Sequence, residues 1–326
     1  MKTKERVLQI LYNSKGSEVS GEEIAKSLCV SRNSVWKSVN SLKKDGYLIY
    51  TSPNGYMLDM QKELFTESNI KKYLKDDRKI LLFDIIDSTN NMAKQLAQNG
   101  EGEGTVVIAK SQTNGKGRMG RSFISSSENG LYLTIILRPR VSVDKCVNIT
   151  VLGAVSLCEA IEELCGVECQ IKWVNDIYIN EKKVSGILTE ASINFEGGTM
   201  QYAVIGMGIN VYEPVGGFDP EIKDIATAIY EKEIQGDVKS KLCAMIIDRF
   251  FYHYSRIEEK SYLQKYKEKS MIIDKMVDVY VGDQIISGKA IDIDENANLV
   301  VETEQGVRKF NSGEARVRKN KESTSN

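Results

Sequence analysis

Apolar positions recur at helical spacing through the first sixty residues. Leu8, Ile10 and Leu11 fall in an early helical pattern. Ser20-Gly-Glu-Glu23 fits a capping box that opens a second helix, with Ile24, Ala25 and Leu28 apolar. Cys29-Val30-Ser31 breaks that helix before a third, in which Val35, Val39 and Leu42 recur at i, i+4 and i+7 and mark one buried face. Asp45-Gly46 ends it. Tyr47–Tyr50 and Tyr56–Leu58 flank Ser52-Pro-Asn-Gly55, a turn-type sequence, which predicts a short β-hairpin. Helix, helix, tight turn, helix and hairpin is the order of a winged helix-turn-helix. Residues 61–75 read as a linker running into a helix.

From about 79 to 270 the pattern is mixed. Ile80–Ile86, Thr105–Lys110, Leu131–Leu137, Ile171–Trp173, Ile177–Ile179, Val184–Ala191 and Gln201–Gly206 read as strands. Asn90–Asn99, Ile149–Cys165 and Val238–Ile257 read as helices, the first two followed by glycine. Strands follow one another near 171–206, with Asn180-Glu-Lys-Lys183 and Glu196-Gly-Gly198 as hairpin turns. That order predicts a mixed or largely antiparallel sheet rather than a doubly wound one. The spacing shortens again over 275–318, where Val277–Val281, Ile285–Ile293, Leu299–Glu302 and Val307–Phe310 form a small SH3-like barrel. Lys319–Asn326 is a polar, disordered tail. The expected class is therefore a multidomain α+β protein: residues 1–62 as the winged helix, 63–272 as a central mixed-sheet domain, 273–320 as the barrel and 321–326 as the tail.

Composition narrows this picture only a little. A length of 326 residues suits two or three units, and Lys plus Arg (44) nearly balance Asp plus Glu (45), so any nucleic-acid surface must be local. Residues 1–60 do carry a local excess, nine Lys/Arg against six Asp/Glu. The third helix holds Arg32, Asn33, Trp36 and Lys37 off its apolar stripe, and with Ser31 and Ser34 these are the candidate DNA contacts. No run of about 18 apolar residues occurs and the N-terminus lacks a signal-type core, which predicts a cytoplasmic protein without a membrane span. The six cysteines form no CxxC pair and read as reduced, mostly buried groups. A single histidine, His253, rules out a multi-histidine metal site and leaves little room for a histidine-based triad. The chemistry must come from Lys, Arg, carboxylates, backbone amides or a metal.

The segment that stands out is Gly115-Lys-Gly-Arg-Met-Gly-Arg121, directly after a strand. Its glycines permit tight turning and bring backbone amides near an anion, while Lys116, Arg118 and Arg121 add positive charge. A Rossmann loop would open a helix, whereas another loop follows. A phosphate-binding P-loop would need Gly-Lys-Ser/Thr, which is absent. The segment reads as an anion clamp of another kind, or as a flexible basic loop. Lys172-Trp-Val-Asn-Asp176, Lys183-Val-Ser-Gly-Ile187, Gly206-Met-Gly-Ile-Asn210 and Asp87-Ser-Thr-Asn90 lie at strand ends or a helix start. Each has a structural reading alone, with Trp173 as core, Asp176 as a turn former and Ser88 or Thr89 as a cap. Together they suit an anionic nucleotide beside a small polar ring.

With these motifs in order, the chain resembles the bifunctional biotin protein ligases that double as biotin operon repressors. Gly115–Arg121 resembles the family's GRGRRGR, Lys172–Asp176 its KWPND, Lys183–Leu188 its KLAGIL, Gly206–Asn210 its GxGIN and Ser88–Asn90 its STN. Lys116 and Met119 stand for arginines, Val174 for proline, and Phe123 where tryptophan is common. The resemblance implies a class II synthetase-like central domain that uses ATP and Mg²⁺. It would form biotinyl-5′-AMP and pass biotin to a lysine of a biotin carboxyl carrier protein domain. It implies Lys183, Arg118 and Asp176 as the catalytic set, with Asp176 also the candidate metal contact. Ser88, Thr89, Asn90, Gln112, Gly115, Lys116, Gly117, Arg118, Lys183 and Gly186 would hold biotin. Arg118, Arg121, Lys172, Asn175 and Asn210 would face ATP. It implies that loop 115–128 is mobile until ligand orders it, and that the adenylate drives a homodimer onto operator DNA. The competing readings are a lipoate-type ligase, a biotin sensor without catalysis, and a ligase whose winged helix binds no DNA.

Overall fold

In the computed structural model the helices and strands fall close to where apolar spacing puts them. The structure describes residues 3–44, 47–59, 63, 65–125, 128–139, 146–194 and 199–318. The Asp45-Gly46 helix stop, the Glu196-Gly-Gly198 turn and the Lys319–Asn326 tail lie outside the described residues. Residues 1–65 with 233–240 make one unit, and 66–232 with 241–326 make the other.

The first unit is a three-helix winged fold. α1 (Thr3–Asn13), α2 (Gly21–Leu28) and α3 (Arg32–Lys44) precede the hairpin β1 (Ile49–Thr51) and β2 (Tyr56–Leu58). Ser20 caps α2 by accepting from the Glu23 amide at 3.1 Å, as the capping-box spacing predicts. Cys29 ends α2 in the left-handed region (φ 54°), which turns the chain sharply into α3. Val7, Leu11, Ile24, Val35, Val39, Leu42 and Leu58 close one core. Val19 and Tyr56 exchange backbone hydrogen bonds of 2.9 Å. At Gly55 a Cβ would fall 2.2 Å from the Val19 carbonyl oxygen, so the wing needs glycine there. Segment 233–240 joins this unit for a visible reason. The buried Glu63 carboxylate accepts from the amides of Lys239 and Ser240 at 2.8 and 2.7 Å, and Tyr12 donates to Asp237.

The second unit is built on a seven-stranded sheet of order β3-β4-β5-β9-β8-β7-β6. Its strands are β3 (Ile80–Ile86), β4 (Val106–Gln112), β5 (Gly130–Leu137), β6 (Gln170–Lys172), β7 (Asp176–Ile179), β8 (Lys182–Asn194) and β9 (Thr199–Asn210). Only β3 and β4 run parallel; the other neighbours are antiparallel, as the run of consecutive strands predicts. β9 extends past Gly206, where sequence reading stops it. Glycine weakens an isolated strand, but β5 and β8 pair β9 on both sides down to Asn210 and Ile209. α4 (Glu67–Lys71) precedes β3. α5 (Thr89–Gln98) packs Ala93 and Ala97 on Val107, Ile136 and Val204. α6 (Cys146–Cys165) lies on the opposite face: Ile205, the neighbour of Val204, would meet a Cβ at Gly153 at 2.5 Å.

α7 (Val238–Tyr254) and α8 (Ser261–Glu268) complete the helical layer. α8 escapes the sequence reading because its buried residues, Tyr262, Leu263 and Tyr266, span little more than one turn. The C-terminal strands β10 (Met276–Val281), β11 (Gln284–Ile293), β12 (Leu299–Thr303), β13 (Gly306–Phe310) and β14 (Glu314–Val317) form an antiparallel sheet of order β13-β12-β11-β10-β14. β14, a four-residue strand, is also absent from the sequence reading. No disulfide joins the six cysteines; Cys158, Cys169 and Cys243 are buried, while Cys29 is exposed. Among the described residues no helix is long and apolar enough to cross a membrane.

One carboxylate ties the three helices of this layer together. Glu159 of α6 meets His253 Nε2 of α7 at 2.9 Å and Lys265 of α8, with Arg249 at 3.8 Å. Burial works to raise its pKa, yet the bonds from His253 and Lys265 hold it at about 2. The group is therefore charged over a range in which an unfolded glutamate, with a pKa of about 4.3, is not. Glu159→Gln should destabilise this unit by about 2–4 kcal/mol at pH 7, because two partners lose their acceptor charge. The advantage of wild type over variant should persist down to about pH 4.3 and vanish as pH falls through about 2. Urea unfolding followed by fluorescence of the buried Trp173 measures both quantities.

Candidate active site

The site follows from strand register. Tyr132 of β5 pairs with Gly208 of β9, Gly208 with Gly186 of β8, Gly186 with Asp176 of β7, and Asp176 with Lys172 of β6. The row runs from an aromatic ring over two bare glycines to a carboxylate and an ammonium. The next row pairs Thr134 with Gly206 and Gly206 with Leu188. Missing side chains at 186, 206 and 208 open a trough on the face that α5 covers further along. Phe123 lies in it: a Cβ at Gly208 would come 2.6 Å from its ring, and one at Gly186 3.5 Å. The ring meets Tyr132 edge-on, with centroids 6.4 Å apart.

One end of the trough is the start of α5. Ser88 holds the N-cap position without a side-chain cap bond, so its hydroxyl lines the cavity instead. The Thr89 amide and hydroxyl both donate to Gln112 Oε1, at 2.7 and 3.1 Å, and Gln112 Nε2 donates to Ser125. The other end is cationic. Lys183 pairs with Asp176 at 2.8 Å, and Arg118 Nη1 donates to Asn175 Oδ1 at 3.0 Å. The cleft, open to solvent on one side, has a volume of about 470 Å³. A second cavity of about 620 Å³ adjoins it, lined by Lys172, Asp176, Arg118, Arg121, Gly313 and Glu314.

The glycine-rich loop is a tight hairpin. The Gly117 amide donates to the Arg121 carbonyl at 2.7 Å and the Phe123 amide to the Gly115 carbonyl at 2.9 Å. A 3-10 turn at Arg118–Gly120 forms its tip, with Met119 and Gly120 at positive φ. At Gly115 a Cβ would fall 2.3 Å from Ser125 Oγ and 2.4 Å from the Phe123 carbonyl oxygen. This glycine seats the loop rather than touching ligand space. Arg121 turns outward to Glu314 of β14 at 2.6 Å. Glu314 is held at about 2, since the bonds from Arg121 and Arg316 outweigh burial.

The cations are poorly solvated. Burial lowers the pKa of Arg118 and of Lys172, with Asp176 and Glu314 opposing the shift in both cases. Charges kept in a half-buried cleft favour an anion that replaces the lost water. Tyr178 beside them is pushed up to about 12 by burial and then by Asp176 and Glu314, so it stays neutral.

Most sequence-predicted residues meet here. Ser88, Thr89, Asn90, Gln112, Lys116, Gly117, Arg118, Lys183 and Gly186 line the inner cavity. Lys172, Asp176 and Arg121 line the outer one, and Asn175 lines both. Two candidates differ. Asn210 donates its amide to the Thr227 carbonyl at 3.0 Å and lines neither cavity. Gly115 is buried under Ser125 and Phe123. Glu314, Glu190 and Thr134 escape sequence reasoning because no local motif marks a residue that reaches the site from another strand. Among the described residues no group of three metal-binding side chains occurs.

In the first unit, Ser31 caps α3, accepting from the Ser34 amide at 3.1 Å, and its hydroxyl meets that of Ser34 at 2.9 Å. Arg32, Asn33, Trp36 and Lys37 are exposed, and Trp36 is 54% exposed, a high value for an indole.

Comparison with known proteins agrees with this layout. Residues 82–210 match the biotin/lipoate A/B protein ligase family, 3–57 an HTH domain and 272–318 the biotin protein ligase C terminal domain. Fold and pocket thus define a ligase domain of the biotin/lipoate type joined to a winged helix-turn-helix. The bifunctional ligase/repressor BirA of Bacillus subtilis strain 168 is 34% identical across 93% of this chain and 95% of its own length. That of Escherichia coli K12 is 27% identical across 96% of each. The chain belongs to the bifunctional biotin ligase/repressor family. Among solved structures, the biotin protein ligase from Aquifex aeolicus in complex with biotin and ATP is 29% identical. It superposes with a TM-score of 0.63 over 74% of this chain and 100% of its own.

Gly115→Ala should unseat the loop. Trypsin cleavage after Lys116, Arg118 or Arg121 should then accelerate by about tenfold in the folded protein, with the far-ultraviolet spectrum unchanged. An unchanged cleavage rate would show that the Ser125 and Phe123 contacts do not hold it.

Proposed function

We propose that the chain joins biotin to a lysine of a carboxyl carrier domain through biotinyl-5′-AMP. The observation that carries this reading is the bare strip at Gly186 and Gly208, with hydroxyl and amide groups at one end and Lys183 and Arg118 at the other. A flat, neutral bicyclic ring fits the strip once the Phe123 ring gives way to it. Ser88, Thr89 and Gln112 face its ureido edge. The carboxylate tail points toward Lys183.

In the first step a biotin carboxylate oxygen bonds to the α-phosphorus of ATP and the bond to the pyrophosphate oxygen breaks. Two anions must approach, so positive charge and positioning do the work that a nucleophile does elsewhere. Lys183 leaves Asp176 to bridge carboxylate and phosphate oxygens, and Arg118 holds the adenylate from the loop side. Lys172, Asn175 and Arg121 face the nucleotide in the outer cavity. Asp176 would contact the Mg²⁺ that accompanies the triphosphate, an ion that would supply charge neutralisation of the phosphates. In the second step the acceptor amine nitrogen bonds to the acyl carbon, AMP leaves, and the amine's proton passes to solvent or to Asp176. Residues Gly115–Ser125 fold over the adenylate, with the Arg121–Glu314 pair as their anchor. The reaction belongs to the cytoplasm, where carrier domain and ATP meet.

Incubating the protein with ATP, Mg²⁺, biotin and a carrier domain should add one biotin to the carrier, read by mass. Lys183→Ala should lower the rate by about 10³-fold while the circular dichroism stays that of wild type. Transfer at the wild-type rate would end the role given to Lys183. ATP–pyrophosphate exchange with lipoate but not biotin would move the chain to the lipoate ligases.

The winged helix binds operator DNA as a homodimer, with the adenylate as corepressor. Arg32 and Lys37 supply phosphate charge, and Asn33 and Trp36 face base edges in the major groove. On a duplex selected from a random pool, Lys37→Ala should weaken binding and reduce the slope of log K against log salt by about one contact's worth. An unchanged slope would take Lys37 off the DNA, and no cooperative gain with biotinyl-5′-AMP would remove the corepressor role.

A further inference from the structure

Asn90 lines the inner cavity, but its carboxamide is fully spent inside the protein. Nδ2 donates to Glu190 Oε2 at 2.8 Å and to the Leu188 carbonyl at 3.3 Å, while Oδ1 accepts from the Thr134 hydroxyl at 2.7 Å. Thr134, Gly206 and Leu188 form one cross-strand row, and Glu190 lies on the next, opposite Val204. The carboxamide occupies the gap at Gly206, where a Cβ would fall 2.0 Å from Asn90 Oδ1. The second oxygen of Glu190 accepts from Lys94 at 2.6 Å, one helical turn beyond Asn90. Two residues of α5 therefore grip one carboxylate on β8.

That grip adds a directional hold to the one Thr89 makes with Gln112, on a helix whose other contacts with the sheet are largely apolar. The helix buries Ala93 and Ala97 against Val107, Ile136 and Val204, with Met92 and Leu96 half-buried beside them, and such apolar contacts are not directional. Directional hydrogen bonds fix rotation and height where small apolar contacts do not. Ser88 and Thr89, at the start of the same helix, wall the slot given above to the ring of biotin.

We propose that Glu190 is a positioning residue for biotin, which acts through Asn90 to fix the start of α5. The proposal rests on the biotin reading of this pocket. Burial works against the charged carboxylate, but Lys94 and Asn90 keep its pKa below the usual glutamate range, so the grip is ionised at neutral pH.

The test is ATP–pyrophosphate exchange by the full chain with varied biotin and varied ATP. Glu190→Ala should raise the KM for biotin about tenfold, with kcat and the KM for ATP within about threefold of wild type. Asn90→Ala should raise it in the same direction, and the double variant should fall short of additivity, since both remove the Asn90–Glu190 connection. Glu190→Gln, whose carboxamide oxygen still accepts from Asn90, should stay within about threefold of wild type. Thr134→Val, nearly isosteric, should raise the KM for biotin in the same direction and keeps the question open to test if Glu190→Ala fails to fold. A biotin KM unchanged in Glu190→Ala or Thr134→Val, a parallel rise in the KM for ATP, or additive effects in the double variant would overturn the proposal while biotin exchange by wild type stands. Wild-type exchange that ignores biotin would instead remove the reading beneath it, and the proposal with it.

Discussion

Everything in the catalytic unit depends on a strip of sheet that carries no side chains. Gly186 and Gly208 are paired neighbours in the middle of a seven-stranded sheet, the place where strands usually bury bulky residues. Their emptiness is stable because β5 and β7 flank them and α6 backs the sheet. The result is a trough with a backbone floor at Gly186 and Gly208. Phe123 lies across it, which gives the glycines a packing partner. The same logic explains Gly206, whose missing Cβ admits Asn90.

Electrostatics then divide the trough. Lys183, Arg118 and Lys172 gather at one end, where burial withdraws water from them, and Asp176 and Glu314 keep that charge from being wholly uncompensated. Such pairs cost little to break when an anion takes the carboxylate's place, because the ammonium exchanges one partner for another rather than losing one. The C-terminal sheet enters here as part of the site. Glu314 holds Arg121, Trp173 Nε1 donates to the Ala297 carbonyl at 3.1 Å, and Lys267 pairs with Asp292 at 2.7 Å. A small β domain placed this way fixes the KWPND-like turn from behind and the glycine loop from in front.

Sequence reading reaches the elements and most of the lining residues, for reasons visible in the structure. Long apolar repeats, such as α3, β5 and α6, bury a whole face and cannot be misread. Motifs of several residues, Gly115–Arg121, Lys172–Asp176 and Gly206–Asn210, are legible because backbone geometry forces unusual residues into fixed order. What escapes is whatever depends on register. Glu190 looks like an ordinary polar strand position until pairing sets it next to Asn90's row. Glu314 sits in a short strand far along the chain. Asn90 reads as a ligand donor from its motif, yet Thr134, Leu188 and Glu190 consume its polar atoms. The division into residues 1–62, 63–272 and 273–320 also misses that 233–240 packs with the first unit, since nothing in that segment announces the Glu63 carboxylate that caps it.

The substitutions within the loop can be placed by the same geometry. Lys116 lines the inner cavity, Arg118 lines both, and Arg121 is already committed to Glu314. Met119 stands at the exposed tip, 62% exposed, and borders only the outer cavity. The arginine that the family carries there would add charge near the nucleotide's side of the site and none near the ring. Its absence therefore takes a charge from the outer cavity and leaves the inner one as it is. Lys116 has the opposite placement. It retains charge in the inner cavity, close enough to Asp87 and Glu190 to act on both, but, as a point charge on a flexible stem, gives up the planar two-pronged contact of arginine. The two changes bear on different cavities, Lys116 on the inner and Met119 on the outer, so they alter the charge of the site in two separate places rather than uniformly.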